Sequence, residues 1–260
     1  MKRIIIITIC FWSIVFNNNA GAYETINLYT PNGNIFTADL RNEDSIGMLE
    51  YYMDIYYLPF KDDNVILLSC ASDRYNCHGF AWVISEGGPV CSLEWDVYIV
   101  MAEGSYEETT EEFAEKIYYV QGHSAVKSQI YEGMYVSKWS SGPLVVHYPN
   151  VGPWPQESTD RYYRLKCPSE IKNKTYTTGE AATIRTRCDV LEISNTEIEA
   201  GASVTVISNS KIRLLPGFRA QAGSTFCAKI EPFDFDVDNP VLSIPIESGP
   251  CEEYLPPGSP

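Results

Sequence analysis

Three glycines, Gly179, Gly201 and Gly223, follow one another at intervals of 22 residues, and no other feature of the chain restricts its fold as sharply. Each is framed by small or turn-forming residues: Thr178 and Glu180, Ala200 and Ala202, Ala222 and Ser224. Three positions past each glycine comes Ala182, Val204 or Phe226, and five past comes Ile184, Val206 or Ala228. A glycine turn leading into alternating apolar residues, repeated at one interval, is what a coil of strands needs to stack on its own copy. Residues 167–232 therefore read as a small all-β solenoid module, with Pro216 and Gly217 supplying one further turn. A stack of short coils offers a long surface and no nucleophile, so this module is expected to dock a cell-surface partner or act as a spacer.

The chain ahead of it, residues 23–166, has another texture, rich in Tyr and Trp. Ile46, Leu49, Met53 and Tyr57 recur at helical spacing behind Ser45 and ahead of Pro59, which predicts a helix over 45–57. Val65 to Cys70 reads as a short strand or a lead-in to a helix, and Thr109 to Glu115 as an exposed short helix. Strands are predicted at Lys116 to Val120, Ser124 to Ser128, Tyr135 to Trp139 and Leu144 to His147. Helix first and strands afterwards is an α+β order. Trp82, Trp95, Trp139 and Trp154 are expected in the core and in a cleft wall. Residues 233–260 form a Pro- and acid-rich tail. Within it Asp234, Asp236 and Asp238 alternate with Phe233, Phe235 and Val237, the pattern of a half-buried strand; no glycine follows as a calcium loop requires.

The first 22 residues carry an export signal. Lys2 and Arg3 precede an apolar run from Ile4 to Phe16, three asparagines break it, and Ala20-Gly21-Ala22 offers small residues for cleavage. Nothing later is apolar for long enough to span a bilayer, so the mature protein is expected to be secreted, extracellular or periplasmic. Losing two cations takes the formal net charge from -15 to -17, which repels phosphate backbones and makes nucleic acid an unsuitable partner. Of eight cysteines, Cys10 falls in the signal, leaving Cys70, Cys77, Cys91, Cys167, Cys188, Cys227 and Cys251. An odd count outside the cytosol points to one thiol with its own task, the remaining six being free to pair in any of fifteen ways. Cys77 is the candidate.

Cys77 sits in Arg74-Tyr75-Asn76-Cys77-His78-Gly79-Phe80-Ala81-Trp82. A cysteine that opens an apolar helix has the helix dipole and unpaired N–H groups to stabilise thiolate. It needs a base, and the chain holds three histidines. His78 adjoins the thiol in sequence and is expected to point elsewhere; His123 opens one strand and His147 closes another. Zinc is disfavoured because a Cys-His dipeptide lacks paired-ligand spacing.

These segments, with Gly122-His123-Ser124-Ala125 and Ser137-Lys138-Trp139 through Gly142-Pro143 to His147 and Pro149, resemble the NlpC-type amidase-like families over residues 72–154. Those are bacterial papain-fold cysteine hydrolases, many acting on cell-wall peptides. The resemblance implies a papain-like domain with Cys77 as nucleophile, His123 as general base and His147 in the third, orienting place. Lys138 or Ser137 occupies the position where many relatives carry that third residue, and the insert between Trp82 and His123 is longer than the family pattern. It further implies hydrolysis of an amide in a peptide or peptidoglycan-derived substrate, without a cofactor. A second class, a non-catalytic secreted binding or surface protein on the same scaffold, separates from the first by the reactivity of Cys77. On the export reading, N-terminal sequencing of secreted protein is expected to begin at Tyr23; a retained leader would remove that reading.

Overall fold

The computed structural model describes residues 23–238; the expected leader and the tail beyond Asp238 lie outside the described residues. The architecture is α+β, with many strands and few helices. A hairpin of β1 (Glu24–Tyr29) and β2 (Ile35–Leu40) comes first. Helix α1 (Ile46–Tyr56) follows, within the span predicted from its apolar spacing. Met53 and Tyr57 are buried there, whereas Ile46 is exposed, so the helix buries a narrower stripe than the spacing suggests.

The centre is a seven-stranded antiparallel sheet, in the order β3 (Ile66–Ser69), β8 (Leu144–His147), β7 (Tyr135–Lys138), β6 (His123–Lys127), β5 (Lys116–Tyr119), β9 (Arg161–Leu165), β4 (Tyr106–Thr109). All four predicted strands are present. The span expected as an exposed helix instead holds the end of β4 and one 3-10 turn at Glu111–Phe113. Strand alternation gives the sheet two covered faces. Val126, Val136, Leu144 and Val146 face α2 (Cys77–Trp82) in the main core, joined by Val97 and Val100 of α3 (Val97–Ala102). On the other face Val145 and Trp139 pack against Met53, while Ile117, Tyr119, Ala125 and Tyr135 form a smaller cluster.

From Ser169 onward the chain makes three parallel three-stranded sheets, a small solenoid-like arrangement. The first coil holds β10 (Ser169–Lys172), β11 (Thr175–Tyr176) and β12 (Ala181–Thr186). The second holds β13 (Val190–Ser194), β14 (Glu197–Ile198) and β15 (Ser203–Ser208); the third holds β16 (Lys211–Leu214), β17 (Arg219–Ala220) and β18 (Thr225–Ile230). Ala182 pairs with Val204 and Val204 with Phe226, and Ile184, Val206 and Ala228 stack likewise, which is the 22-residue register. Only the β13–β16 pairing runs at 21, placing Leu191 opposite Ile212. Gly179, Gly201 and Gly223 have φ of 85, 83 and 88 degrees, a backbone that an L side chain resists.

A second left-handed column was not anticipated. Asn173, Asn195 and Gly217, again 22 apart, turn the chain from the first strand of each coil to the second, with φ of 57, 45 and 85 degrees. Asparagine tolerates this conformation better than other L residues. The β1–β2 hairpin covers the first coil: Tyr29 packs into the coil core and its hydroxyl donates to Glu180 at 3.0 Å, while Glu170 N–H donates to Asn32 Oδ1 at 3.2 Å.

The tail was expected to form a strand at 233–238, and it does not. Val237 is instead buried in the main core, and Asp238 accepts from Ser128 Oγ at 2.5 Å and Gln129 N–H at 2.7 Å. Those hydrogen bonds go to a loop, so no ladder forms.

Gly201→Val is expected to destabilise the coil stack by about 2 kcal/mol, because a β-branched residue strains at positive φ and its Cβ meets Thr178 Cγ2 at 3.1 Å. Gly201→Asn is expected to cost much less. Urea unfolding of the two variants checks the difference; equal, silent substitutions would contradict the turn assignment.

Candidate active site around Cys77

Asn76 caps α2: its Oδ1 accepts from Gly79 N–H at 2.8 Å and from Leu93 N–H at 3.1 Å, and its Nδ2 donates to Leu93 carbonyl at 3.0 Å. One side chain thereby sets the start of the helix and pins the chain around Leu93 beside it. Cys77 is the first residue of the helix and is 7% exposed. The backbone N–H groups of Ser124 and His78 point at its sulfur. The thiol thus lies against the start of β6, where the sequence placed His123.

Burial opposes ionisation more than the two N–H groups favour it, and the Cys77 pKa rises to about 11. The expected helix-stabilised thiolate is therefore not the resting form. A six-residue helix cannot offset the loss of water around the sulfur.

His123 shares its face of the sheet with Ala125 and with Tyr119 of β5, and its ring stacks on Trp154 with centroids 4.4 Å apart. The ring is 1% exposed, and neither Nδ1 nor Nε2 has a hydrogen-bond partner. Burial, with further contributions from His147 and His78, lowers its pKa well below the usual imidazole value. The structure brings Cys77 against the backbone of β6, but the His123 imidazole projects from the sheet face opposite α2, and no hydrogen bond joins thiol and imidazole.

His147 lies near His123 but is already engaged: Nε2 meets Ser137 Oγ at 2.7 Å and Nδ1 donates to Tyr148 carbonyl at 2.8 Å. No hydrogen bond connects it to His123, so the orienting role expected of it has no contact to act through. Ser137, the nearer alternative, is spent on His147. Lys138, the other, is fully buried and donates to Ser72 O at 2.8 Å, Ser140 O at 3.0 Å and Gly142 O. Burial pulls its pKa down to about 7. Three carbonyls match the three protons of an ammonium, however, and we assign it the charged form and a loop-holding role.

His78 was expected to point away from the thiol, and its ring does. Its Nδ1 accepts from Ser124 Oγ at 2.8 Å, Trp82 Nε1 donates to the same oxygen at 2.9 Å, and the ring stacks on Tyr118. This network fixes the residue whose N–H meets Cys77, a role invisible in sequence because it depends on which side of β6 faces α2. Among the other tryptophans Trp82 and Trp139 are buried as expected, while Trp95 is 80% exposed.

Cysteine pairing differs from the expectation of a single free thiol. Cys167 and Cys188 form a disulfide and Cys70 is also disulfide-bonded, while Cys77, Cys91 and Cys227 are all free thiols. Among the described residues no helix is long and apolar enough to cross a membrane. Comparison with protein-family models, with curated proteins and with solved structures finds no match for this chain.

The histidines give a pH dependence of known sign. Burial lowers His78 and His147 to about 4 each, and holds His123 well below the usual imidazole value. In the unfolded chain each titrates near 6.5, so below that pH the unfolded state binds more protons and stability falls as pH drops. The contribution is intact above about pH 6.5 and declines toward pH 4 by about 1.4 kcal/mol per pH unit for each histidine. Urea unfolding at pH 5.5 is expected to show about 4 kcal/mol less stability than at pH 7.5. A His78→Gln variant should lose about a third of that difference.

Proposed function

We propose that the chain is an exported cysteine hydrolase of amide bonds on a papain-like scaffold, with Cys77 as nucleophile and His123 as general base, followed by a β-solenoid that docks or spaces it. One observation carries the reading. A buried imidazole with two unpartnered nitrogens sits on the residue next to the N–H that touches a cysteine thiol. An unsatisfied buried polar group costs stability and calls for a functional account. A base awaiting a substrate and a thiol proton supplies one. The disulfide Cys167–Cys188 is compatible with export.

Both partners rest neutral, so the step begins from thiol and imidazole. For this step the imidazole must leave its stack on Trp154 and swing round the start of β6 to the α2 face; it then takes the thiol proton as sulfur attacks the carbonyl carbon, giving a tetrahedral oxyanion. N–H groups at the start of α2 and at Ser124 are the donors at hand for that charge. The imidazolium then protonates the departing amine, and water releases the acyl group from sulfur. Catalytic hydrogen bonds commonly tighten only when substrate binds, and here that tightening includes the movement of the ring from one face of the sheet to the other.

A second reading, a non-catalytic secreted binding protein on this scaffold, is favoured by the same separation and by the raised thiol pKa.

Incubation of purified protein with muropeptides and peptide amides, read by mass spectrometry, separates the two. The hydrolase reading expects turnover that Cys77→Ala and His123→Ala each abolish, with the double variant no worse than either, because the two act in one step. His147→Ala removes no contact to His123 and is expected to leave turnover largely intact. Iodoacetamide should modify Cys77 with a midpoint above the ordinary thiol value of about 8.5. Turnover that survives Cys77→Ala would overturn the hydrolase reading, and no turnover of any substrate would leave the binding protein.

A further inference from the structure

Trp95 is the most exposed of the large apolar side chains described, at 80%. An exposed indole alone means little, but this one is held beside the candidate nucleophile from two directions. On one side, Asn76 binds both backbone groups of Leu93 and donates to Glu94 Oε1 at 3.3 Å, fixing the chain immediately before Trp95 next to Cys77. On the other, a file of rings runs inward from the surface. Trp95 stacks on Tyr98 at 6.4 Å, Tyr98 meets Tyr118 at 6.0 Å, and Tyr118 stacks on His78 at 5.8 Å. The hydroxyls of Tyr98 and Tyr118 are joined at 2.9 Å, and Tyr118 is within electrostatic reach of the Cys77 thiol. Two stacked rings, Trp95 and the half-exposed Tyr98, therefore form a ledge that leads to the sulfur.

Trp95 lies in an acidic stretch of the sequence. From Tyr75 to Glu115 the chain carries nine carboxylates and no lysine or arginine. Glu94 and Asp96 flank Trp95 directly. Arg41 pairs with Glu94 at 2.6 Å, Asp96 accepts from Thr37 N–H at 2.6 Å, and Arg161 lies opposite Tyr118 in the sheet. Ring faces carry negative quadrupole charge and attract a cation laid over them, and nearby carboxylates add to that attraction.

We propose that Trp95 and Tyr98 form a substrate subsite beside Cys77 that receives the cationic side chain of a peptide, a guanidinium or ammonium group lying on the ring faces. The subsite rests on the hydrolase reading in taking Cys77 as the reacting end. It is tested by binding alone, so that each can fail separately.

The experiment is isothermal titration calorimetry on Cys77→Ala protein with the peptide acetyl-Gly-Gly-Arg-Gly-Gly-amide and with its isosteric citrulline counterpart, which lacks the charge. Arginine is expected to bind about five-fold more tightly than citrulline. Trp95→Ala, in the same background, is expected to bring the two to the same affinity without a change in melting temperature, since the indole is exposed. Equal affinities in Cys77→Ala protein would overturn the cationic subsite, as would preference for a neutral glycan fragment, absence of binding, or arginine preference that survives Trp95→Ala. Trp95-dependent arginine binding together with no turnover by the wild-type protein would support the subsite and defeat the hydrolase reading instead.

Discussion

The two parts of the chain meet at a buried ion network centred on Glu86. Lys116, 1% exposed, lies 2.6 Å from Glu86 Oε1 and donates to Ala81 carbonyl and Ser85 Oγ, tying the end of α2 to β5. Arg187, from the corner between the first and second coils, reaches Glu86 at 2.8 Å and Glu115 at 2.5 Å. Burial alone would raise the Glu86 pKa, but Arg187 and Lys116 outweigh it and hold the carboxyl below its usual range. Such a network adds little over a well-packed apolar substitute, yet losing one member strands the others, at about 3–5 kcal/mol. Helix, sheet and coil stack are thus held in register by charges that cannot be changed singly. The helix so fixed is the one that presents Cys77.

Around the candidate site the same physics recurs: groups that are charged in water are placed where water is absent. Thiol and imidazole respond by staying neutral, whereas Lys138 keeps its charge because three carbonyls receive it. The difference lies in partners. The lysine is saturated, and His123 has none.

Much of the architecture was legible in the chain, because it rests on local periodicity. The helix over α1, the four central strands and the 22-residue register follow from apolar spacing and glycine. The Asn173, Asn195 and Gly217 column escaped notice because asparagine signals a left-handed turn weakly and the column changes residue type midway. The burial of Lys116 and Lys138 was not legible, since burial of a lysine depends on carbonyls and a carboxylate supplied from distant parts of the sequence. The thiolate expectation failed for a related reason: a helix N-terminus can be recognised in sequence, but its depth cannot. The run at 233–238 alternates like a strand and finds no edge to join. Trp95 could not be told from the buried tryptophans by type, only by the acidic neighbours that accompany it.

The coil stack is tied to the rest of the molecule at both ends. The hairpin and the Cys167–Cys188 disulfide hold its first turn, while Asp238 is latched into the Ser128–Ile130 loop of the sheet domain. Each coil advances the chain by about 4.8 Å, one interstrand spacing. Only seven residues, 231–237, bring the chain from the last coil strand back to that latch. The number of coils is therefore part of a closed circuit, and the stack measures out the one length at which the returning chain meets its anchor.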